Sequence, residues 1–199
     1  KAKVVMVTGA GGSIGAELSR QVLQNDPRLL IIFDVSEFSL YSIKQELLDK
    51  KSEVEIKSIL GDVRDKARVK QVCETFAVET IYHAAAYKHV PLVEENPFEA
   101  VSNNIFGTLN CALAAIECRV ETFVLISTDK AVRPTNTMGA TKRFAELILQ
   151  SLSAENKTHK NTKITIVRFG NVLGSTESVV PLFEKQISNG GPVTITRSE

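Results

Sequence analysis

The sequence predicts an α/β fold built on a doubly wound parallel sheet. Short β-branched apolar runs alternate with longer amphipathic stretches, and those runs are continuous instead of alternating in polarity. A glycine-rich turn also joins the first run to the first helical stretch. Continuous apolar strands need cover on both faces, which helical crossovers of one hand provide. Such a sheet binds ligands at the carboxyl ends of its strands.

The elements follow in order. Val4 to Val7 reads as a strand, and Ile14 to Gln24 as a helix with Ile14, Leu18 and Val22 on one face. Leu29 to Phe33 is a strand apolar on both faces, Phe38 to Lys50 is helical, and Val54 to Leu60 is a strand of alternating polarity. Lys66 to Phe76 places Val69, Val72, Cys73 and Phe76 at helical spacing. Thr80 to Ala84, Phe123 to Ile126 and Ile164 to Val167 are further strands, with long helices from Pro97 to Cys118 and Met138 to Ser153 between them. After Asn171 the pattern loosens to one helix (Val179 to Ser188), a turn at Asn189-Gly190-Gly191-Pro192 and a last strand, Val193 to Thr196. The chain has no initiator Met and stops inside that strand, so it reads as a piece of a longer protein.

Composition narrows the partner. The 199 residues are 43% hydrophobic and 24% charged, with 24 Lys plus Arg against 23 Asp plus Glu. No basic stripe argues for nucleic acid or an anionic membrane surface, which leaves a small molecule. Cys73, Cys111 and Cys118 have no metal-ligand spacing and sit in apolar helical contexts, which suits a reducing compartment. No apolar run reaches membrane-spanning length, and no signal peptide is evident.

Gly9-Ala10-Gly11-Gly12-Ser13-Ile14-Gly15 occupies the first strand-to-helix turn. Glycine at 9, 12 and 15 permits a tight turn, close backbone approach to a pyrophosphate and close helix-on-strand packing. The helix that follows aims its positive dipole end at the phosphates. Asp34 ends the second strand, close to the ~20 residues past the loop at which a carboxylate accepts ribose hydroxyls. A carboxylate there repels a 2′-phosphate and no Arg follows at once, so NAD is favoured over NADP. Asp34 could instead cap the next helix, with Ser36 beside it. Gly61-Asp62-Val63, after the third strand, would sit beside the adenine. The chain thus divides into an NAD-binding domain, residues 1–170, and the beginning of a smaller substrate-binding part, residues 171–199.

The fifth strand ends in Ser127-Thr128-Asp129-Lys130, which brings hydroxyl, carboxylate and amine to the carboxyl edge together. Met138-Gly139-Ala140-Thr141-Lys142 opens the next helix, with Met138 and Lys142 one turn apart. Taken singly, Asp129, Lys130 and Lys142 read as solvated charges and Met138 as core; their place at this strand end points to chemistry instead.

Four blocks together carry a family resemblance: Thr8 to Gly15, His83-Ala84-Ala85-Ala86-Tyr87-Lys88-His89-Val90-Pro91, Ser127 to Lys142, and Arg168-Phe169-Gly170-Asn171-Val172-Leu173-Gly174. They resemble the bacterial polysaccharide-biosynthesis branch of the extended short-chain dehydrogenases/reductases, whose sheet is of Rossmann type. That branch contains UDP-N-acetylglucosamine 4,6-dehydratases and some epimerases, several of them carried on a membrane-anchored N-terminal region. The resemblance implies a cytoplasmic, homo-oligomeric enzyme with tightly bound NAD and a UDP-sugar substrate. It implies that Gly9 to Gly15, Asp34, Ser36, Asp62, Val63, Ala84 to Ala86, Asn104 and Lys142 line the NAD site. Lys88 and Asn171 would lie near the sugar nucleotide. Thr128 matches the Ser/Thr of the catalytic triad, Lys142 its Lys, and Asp129 and Lys130 the acid and base of the dehydratases.

Met138 stands where the family usually has its catalytic Tyr, and a thioether takes no proton. Some dehydratases of the branch share this Met. Thr128, an ordered water or a proton chain through Lys130 are the candidates for the base at the sugar 4-hydroxyl. The implied reaction is a hidden redox cycle in which hydride leaves C4, water is lost across C5 and C6, and hydride returns to C6. Lys130, its pKa lowered by a dry site and by Lys142, would take the C5 proton; Asp129, kept protonated by partial burial, would protonate the leaving hydroxyl. A 4-epimerase of the same branch and a domain that binds NAD without turnover are the rival readings.

Overall fold

The computed structural model describes residues 2–50, 52–156, 162–170, 183 and 186–192. The strands are β1 (Val4–Thr8), β2 (Leu29–Asp34), β3 (Glu55–Leu60), β4 (Thr80–His83), β5 (Thr122–Thr128) and β6 (Lys163–Phe169). They form one six-stranded sheet in the order β3-β2-β1-β4-β5-β6. The pairings of β1 with β2 and β4, of β2 with β3, and of β4 with β5 are all parallel. The order reverses between β1 and β4, so the crevice of a doubly wound sheet opens above the carboxyl ends of those two strands.

Both faces of the sheet are covered where the strands are apolar throughout. All six residues of β2 are buried, with Ile31 and Phe33 in one core and Leu30 and Ile32 in the other. The first core gathers Val69, Val72 and Cys73 of α3 (Lys66–Phe76), Cys111, Ala112, Ala114 and Ala115 of α6 (Thr108–Glu117), and Ala145 and Leu149 of α7 (Thr137–Asn156). The second is closed by α1 (Ser13–Gln24) and by Leu40, Ile43 and Leu47 of α2 (Glu37–Asp49). Each fully buried Leu, Ile or Phe contributes about 1.5–3 kcal/mol.

Three elements depart from the sequence reading. The buried face of α1 is Gly15, Ser19 and Leu23, one position on from the expected stripe, while Leu18 and Val22 pack only partly buried against the core rim. Small residues win that face because the helix lies close to its loop. The long helix from Pro97 is interrupted: α5 (Pro97–Ala100) passes into a π-helical turn (Val101–Gly107) before α6. Π turns cluster at functional sites. A short helix, α4 (Val90–Glu95), also forms where no helical period was legible, with Pro91 in its first turn.

Residues 1–168 form one compact unit and residues 169–199 a second. Of its described residues, Phe183 and residues 186–188 are helical, and Gly190 and Gly191 take positive φ of 86° and 76° in the expected turn. The rest of the predicted helix from Val179, the final strand and Asn171 lie outside the described residues. Among the described residues, no helix is long and apolar enough to cross a membrane.

Candidate active site

The glycine loop is shaped by contacts that a side chain would forbid. Gly9 has φ of +67°, and a Cβ there would stand 2.6 Å from the Ala85 backbone. A Cβ on Gly15 would stand 1.9 Å from the Gly9 carbonyl oxygen, so the first turn of α1 sits directly on the loop. A Cβ at Gly12 would meet only the Gly9 carbonyl, at 3.4 Å, so the loop is open on that side. Gly12 is exposed and provides no side-chain cap to α1. Ala10, by contrast, is 0% exposed and donates its N–H to the Phe33 carbonyl, so it builds the loop without presenting a surface.

Asp34 is not the cap of α2. That position belongs to Ser36, whose hydroxyl accepts the Ser39 N–H at 3.2 Å. The Asp34 carboxylate accepts the Gly11 N–H at 2.8 Å and the Ser36 N–H at 2.9 Å, tying the glycine loop to the end of β2. A carboxylate accepts about four hydrogen bonds, so two ribose hydroxyls can still be served. Asp62 is engaged by Arg64 through its N–H, Nε and guanidinium, and this pairing holds its carboxyl below the usual range. Val63 is buried in the core.

A hydrogen-bonded chain runs beneath the crevice. His83 is buried, and burial together with the Lys142 charge pushes its pKa down to about 3, so its ring is neutral. The Thr108 hydroxyl donates to the Asn104 carbonyl at 2.7 Å, which leaves its oxygen to accept from His83 Nε2 at 3.1 Å. His83 Nδ1 therefore accepts the Thr8 hydroxyl at 2.7 Å. Asn104 is 0% exposed; its side-chain oxygen accepts the Tyr87 N–H at 2.8 Å, and its amide donates to the Tyr87 carbonyl and the Thr141 hydroxyl. This corrects the expectation of a direct cofactor contact. Asn104 acts on the site by clamping the segment that follows Ala84, Ala85 and Ala86 and carries exposed Lys88.

The end of β5 runs into a 3-10 turn, Asp129–Ala131, against which α7 begins. A Cβ on Gly139 would stand 2.3 Å from the Lys130 carbonyl oxygen, so the first turn of α7 is pressed onto the Lys130-Ala131 peptide. Asn136 accepts the Gly139 N–H at 2.8 Å, and the Glu94 carboxylate of α4 receives both the N–H and the hydroxyl of Thr137 at 2.6 Å. Lys142 is 6% exposed and donates to the Ile126 carbonyl at 2.6 Å; burial brings its pKa down to about 8 against the opposing field of Glu146.

Two expectations at this turn are corrected. The Asp129 side chain is 57% exposed and accepts the Thr128 hydroxyl at 2.9 Å. That bond, with Lys130 3.5 Å away, lowers its pKa, so it is a carboxylate and not a buried acid. Lys130 is 37% exposed, not enclosed in a dry site. Met138 is likewise no catalytic group: at 4% exposure it packs with Val93 and Ala100 between α4, α5 and α7.

Sequence reasoning passed over Glu146, which is 0% exposed and accepts Ser127, Arg143 and Arg168. Its one-turn spacing from Lys142 was the available signal.

The family model described as "Polysaccharide biosynthesis protein" matches residues 5–199. The capsular polysaccharide biosynthesis protein CapD of Staphylococcus aureus is 52% identical over 99% of this chain and 33% of its own length. A Campylobacter jejuni protein named UDP-N-acetylglucosamine 4,6-dehydratase (inverting) is 37% identical over 98% of this chain and 58% of its own. One from Rickettsia canadensis named UDP-glucose 4-epimerase is 36% identical over 98% and 56%. Among solved structures, Pen from Bacillus thuringiensis aligns with a TM-score of 0.87 at 41% identity, over 94% of this chain and 56% of its own. The chain thus spans between a third and three fifths of these relatives.

Proposed function

The chain belongs to the polysaccharide biosynthesis protein family, and from that premise we propose that it is the NAD-binding catalytic part of a UDP-N-acetylglucosamine 4,6-dehydratase. One observation carries the reading: the Thr128-Asp129-Lys130 turn is pressed against the start of α7, so a hydroxyl, a carboxylate and an amine cluster at the carboxyl edge near buried Lys142. Two relatives named as acting on nucleotide sugars support the substrate class.

NAD fits the residues present. The glycine cradle and uncapped α1 N-terminus suit a pyrophosphate, and Asp34 suits the adenosine ribose. Asp62 would lie beside the adenine, with Val63 packed in the core behind it, and Lys142 would meet the nicotinamide ribose. Bound there, NAD would supply reversible hydride transfer, from C4 of the sugar and back at C6. The chain's own residues orient the sugar and move protons. Lys88 would meet the sugar nucleotide, and Thr128 would pass the 4-hydroxyl's proton on toward solvent. Asp129 and Lys130 together take one proton from C5 and deliver one to the C6 oxygen as water leaves. Because they are bonded to each other, a proton crosses between them, and the hydride returned at C6 is matched by a solvent-derived proton that the pair delivers to C5, which balances the 4-hydroxyl proton released to solvent at the start. Asp129 starts ionised, so its acid form arises by transfer within the pair.

The test is incubation of the full-length protein with UDP-N-acetylglucosamine in deuterated water, with the product read by NMR. A 4-keto-6-deoxy sugar carrying deuterium at C5 is expected. A 4-epimer with its C5 proton retained would replace the dehydratase reading with the epimerase one. Binding of NAD with no response to any UDP-sugar would leave a dinucleotide-binding domain without turnover.

A further inference from the structure

Glu146 is a carboxylate with no exposed surface, one helical turn beyond Lys142. It accepts the Ser127 hydroxyl of β5 at 2.7 Å, Arg168 Nε of β6 at 2.7 Å and the Arg143 guanidinium of α7 at 3.0 Å. It therefore joins two neighbouring strands to the catalytic helix, and its β5 contact is the residue just before Thr128. An apolar side chain of similar volume would bind these elements as well without the burden of desolvating a charge. Lys142 gives the charge a purpose: its ammonium is nearly enclosed and donates to a neutral carbonyl.

We propose that Glu146 is a positioning residue for the reaction, holding Ser127 and the Thr128–Lys130 turn in place while its negative charge keeps the Lys142 ammonium charged. The proposal rests on the preceding reading in assigning Lys142 to the nicotinamide ribose. Among the described residues, Glu146 is the group whose field raises the Lys142 pKa against burial. Its own carboxyl resists the upward push of burial because Arg168, Ser127 and Arg143 hold it at about 2, so it remains an anion. The His83 ring on β4, which feels the Lys142 charge, is neutral, and the elements packed against α7 also carry Asp129 and Lys130 in the turn, Glu94 on α4, Glu99 on α5 and the buried Cys111 thiol on α6. The π turn contributes only Asn103 and Asn104 among its buried polar residues.

NAD affinity of the full-length protein, measured by calorimetry from about pH 6 to about pH 10, reads Lys142 without requiring turnover. Wild-type affinity falls as pH rises through about 8. Glu146→Gln keeps the size and the Ser127 contact, and moves that fall downward by about one pH unit. Arg168→Gln removes a cation that offsets Glu146, and moves the fall upward. A scaffold residue would lower stability and kcat in both variants with the midpoint unmoved; that outcome overturns the proposal, as does a wild-type affinity with no pH limb. If Glu146→Gln fails to fold, the upward shift in Arg168→Gln decides. Absent UDP-sugar turnover in wild type would sink the dehydratase reading alone and leave these shifts interpretable.

Discussion

Replacing Gly139 by Ala adds a single methyl group where α7 meets the turn after β5. Its Cβ would arrive 2.3 Å from the Lys130 carbonyl oxygen, where ordinary contact begins at 3.4 Å. Alanine favours a helix over glycine by about 1 kcal/mol, but the clash is against backbone, and overpacking typically costs 1–3 kcal/mol. The net stability change is therefore small, about 0–2 kcal/mol of loss. The geometric change is not small. Either α7 or the Asp129-Lys130 turn must move by about 1 Å, and a displacement of that size costs about 100-fold in rate when it separates reacting groups. Urea denaturation gives the stability, and solvent exchange of the substrate C5 proton gives the rate. We expect a rate near 1% of wild type with NAD affinity within about threefold, since the glycine loop is a separate contact. Wild-type exchange in a folded Gly139→Ala variant would show that the turn and α7 do not act together.

The other predictions concern the buried polar groups. Lys142 titrates near 8 folded against an ordinary 10.5, so between those pH values the unfolded chain binds the extra proton and stability rises with pH. Relative to Lys142→Met, the wild-type protein should gain stability at about 1.4 kcal/mol per pH unit across that window, read from denaturation midpoints. His83 titrates near 3 instead of 6.5, so the wild type should lose stability as pH falls below 6.5. His83→Gln should flatten that acid limb; an unchanged limb would remove His83 as its source. Asn104→Ala leaves the Tyr87 N–H and carbonyl without their partners, and should cost about 2–4 kcal/mol of stability. It should also raise the KM for the UDP-sugar more than it changes kcat, because the Lys88 segment loses its clamp; an unchanged KM would separate that segment from the substrate.

What could be read in the sequence was what periodicity and turn chemistry encode. The succession of strands and helices along the chain, the glycine loop, Asp34 at the end of β2 and the cluster at the end of β5 all follow from residue type and spacing. The buried face of α1 was misplaced because apolar character marks a helix face less well than smallness does where backbone meets backbone, as at Gly15 and Ser19. The π turn has no compositional signature, since the same residues continue an α-helix equally well. Asp129 shows another limit: its charge state depends on the Thr128 hydroxyl and on solvent access, and neither can be deduced from adjacency. Glu146 was passed over for a related reason, because its partner Arg168 lies on another strand.

The π turn at Val101–Gly107 winds one residue more into the helix than regular α geometry would hold. Removing one residue from it would restore α-helical winding while leaving the faces on either side in register, so Cys111 and Ala115 would keep their places under the sheet. The cost would fall on the turn itself, where Asn104 holds the Tyr87 backbone and the Thr141 hydroxyl. A single-codon deletion here is therefore a change to the crevice that spares the hydrophobic core, whereas the same deletion in α6 would rotate the residues that follow it by about 100°.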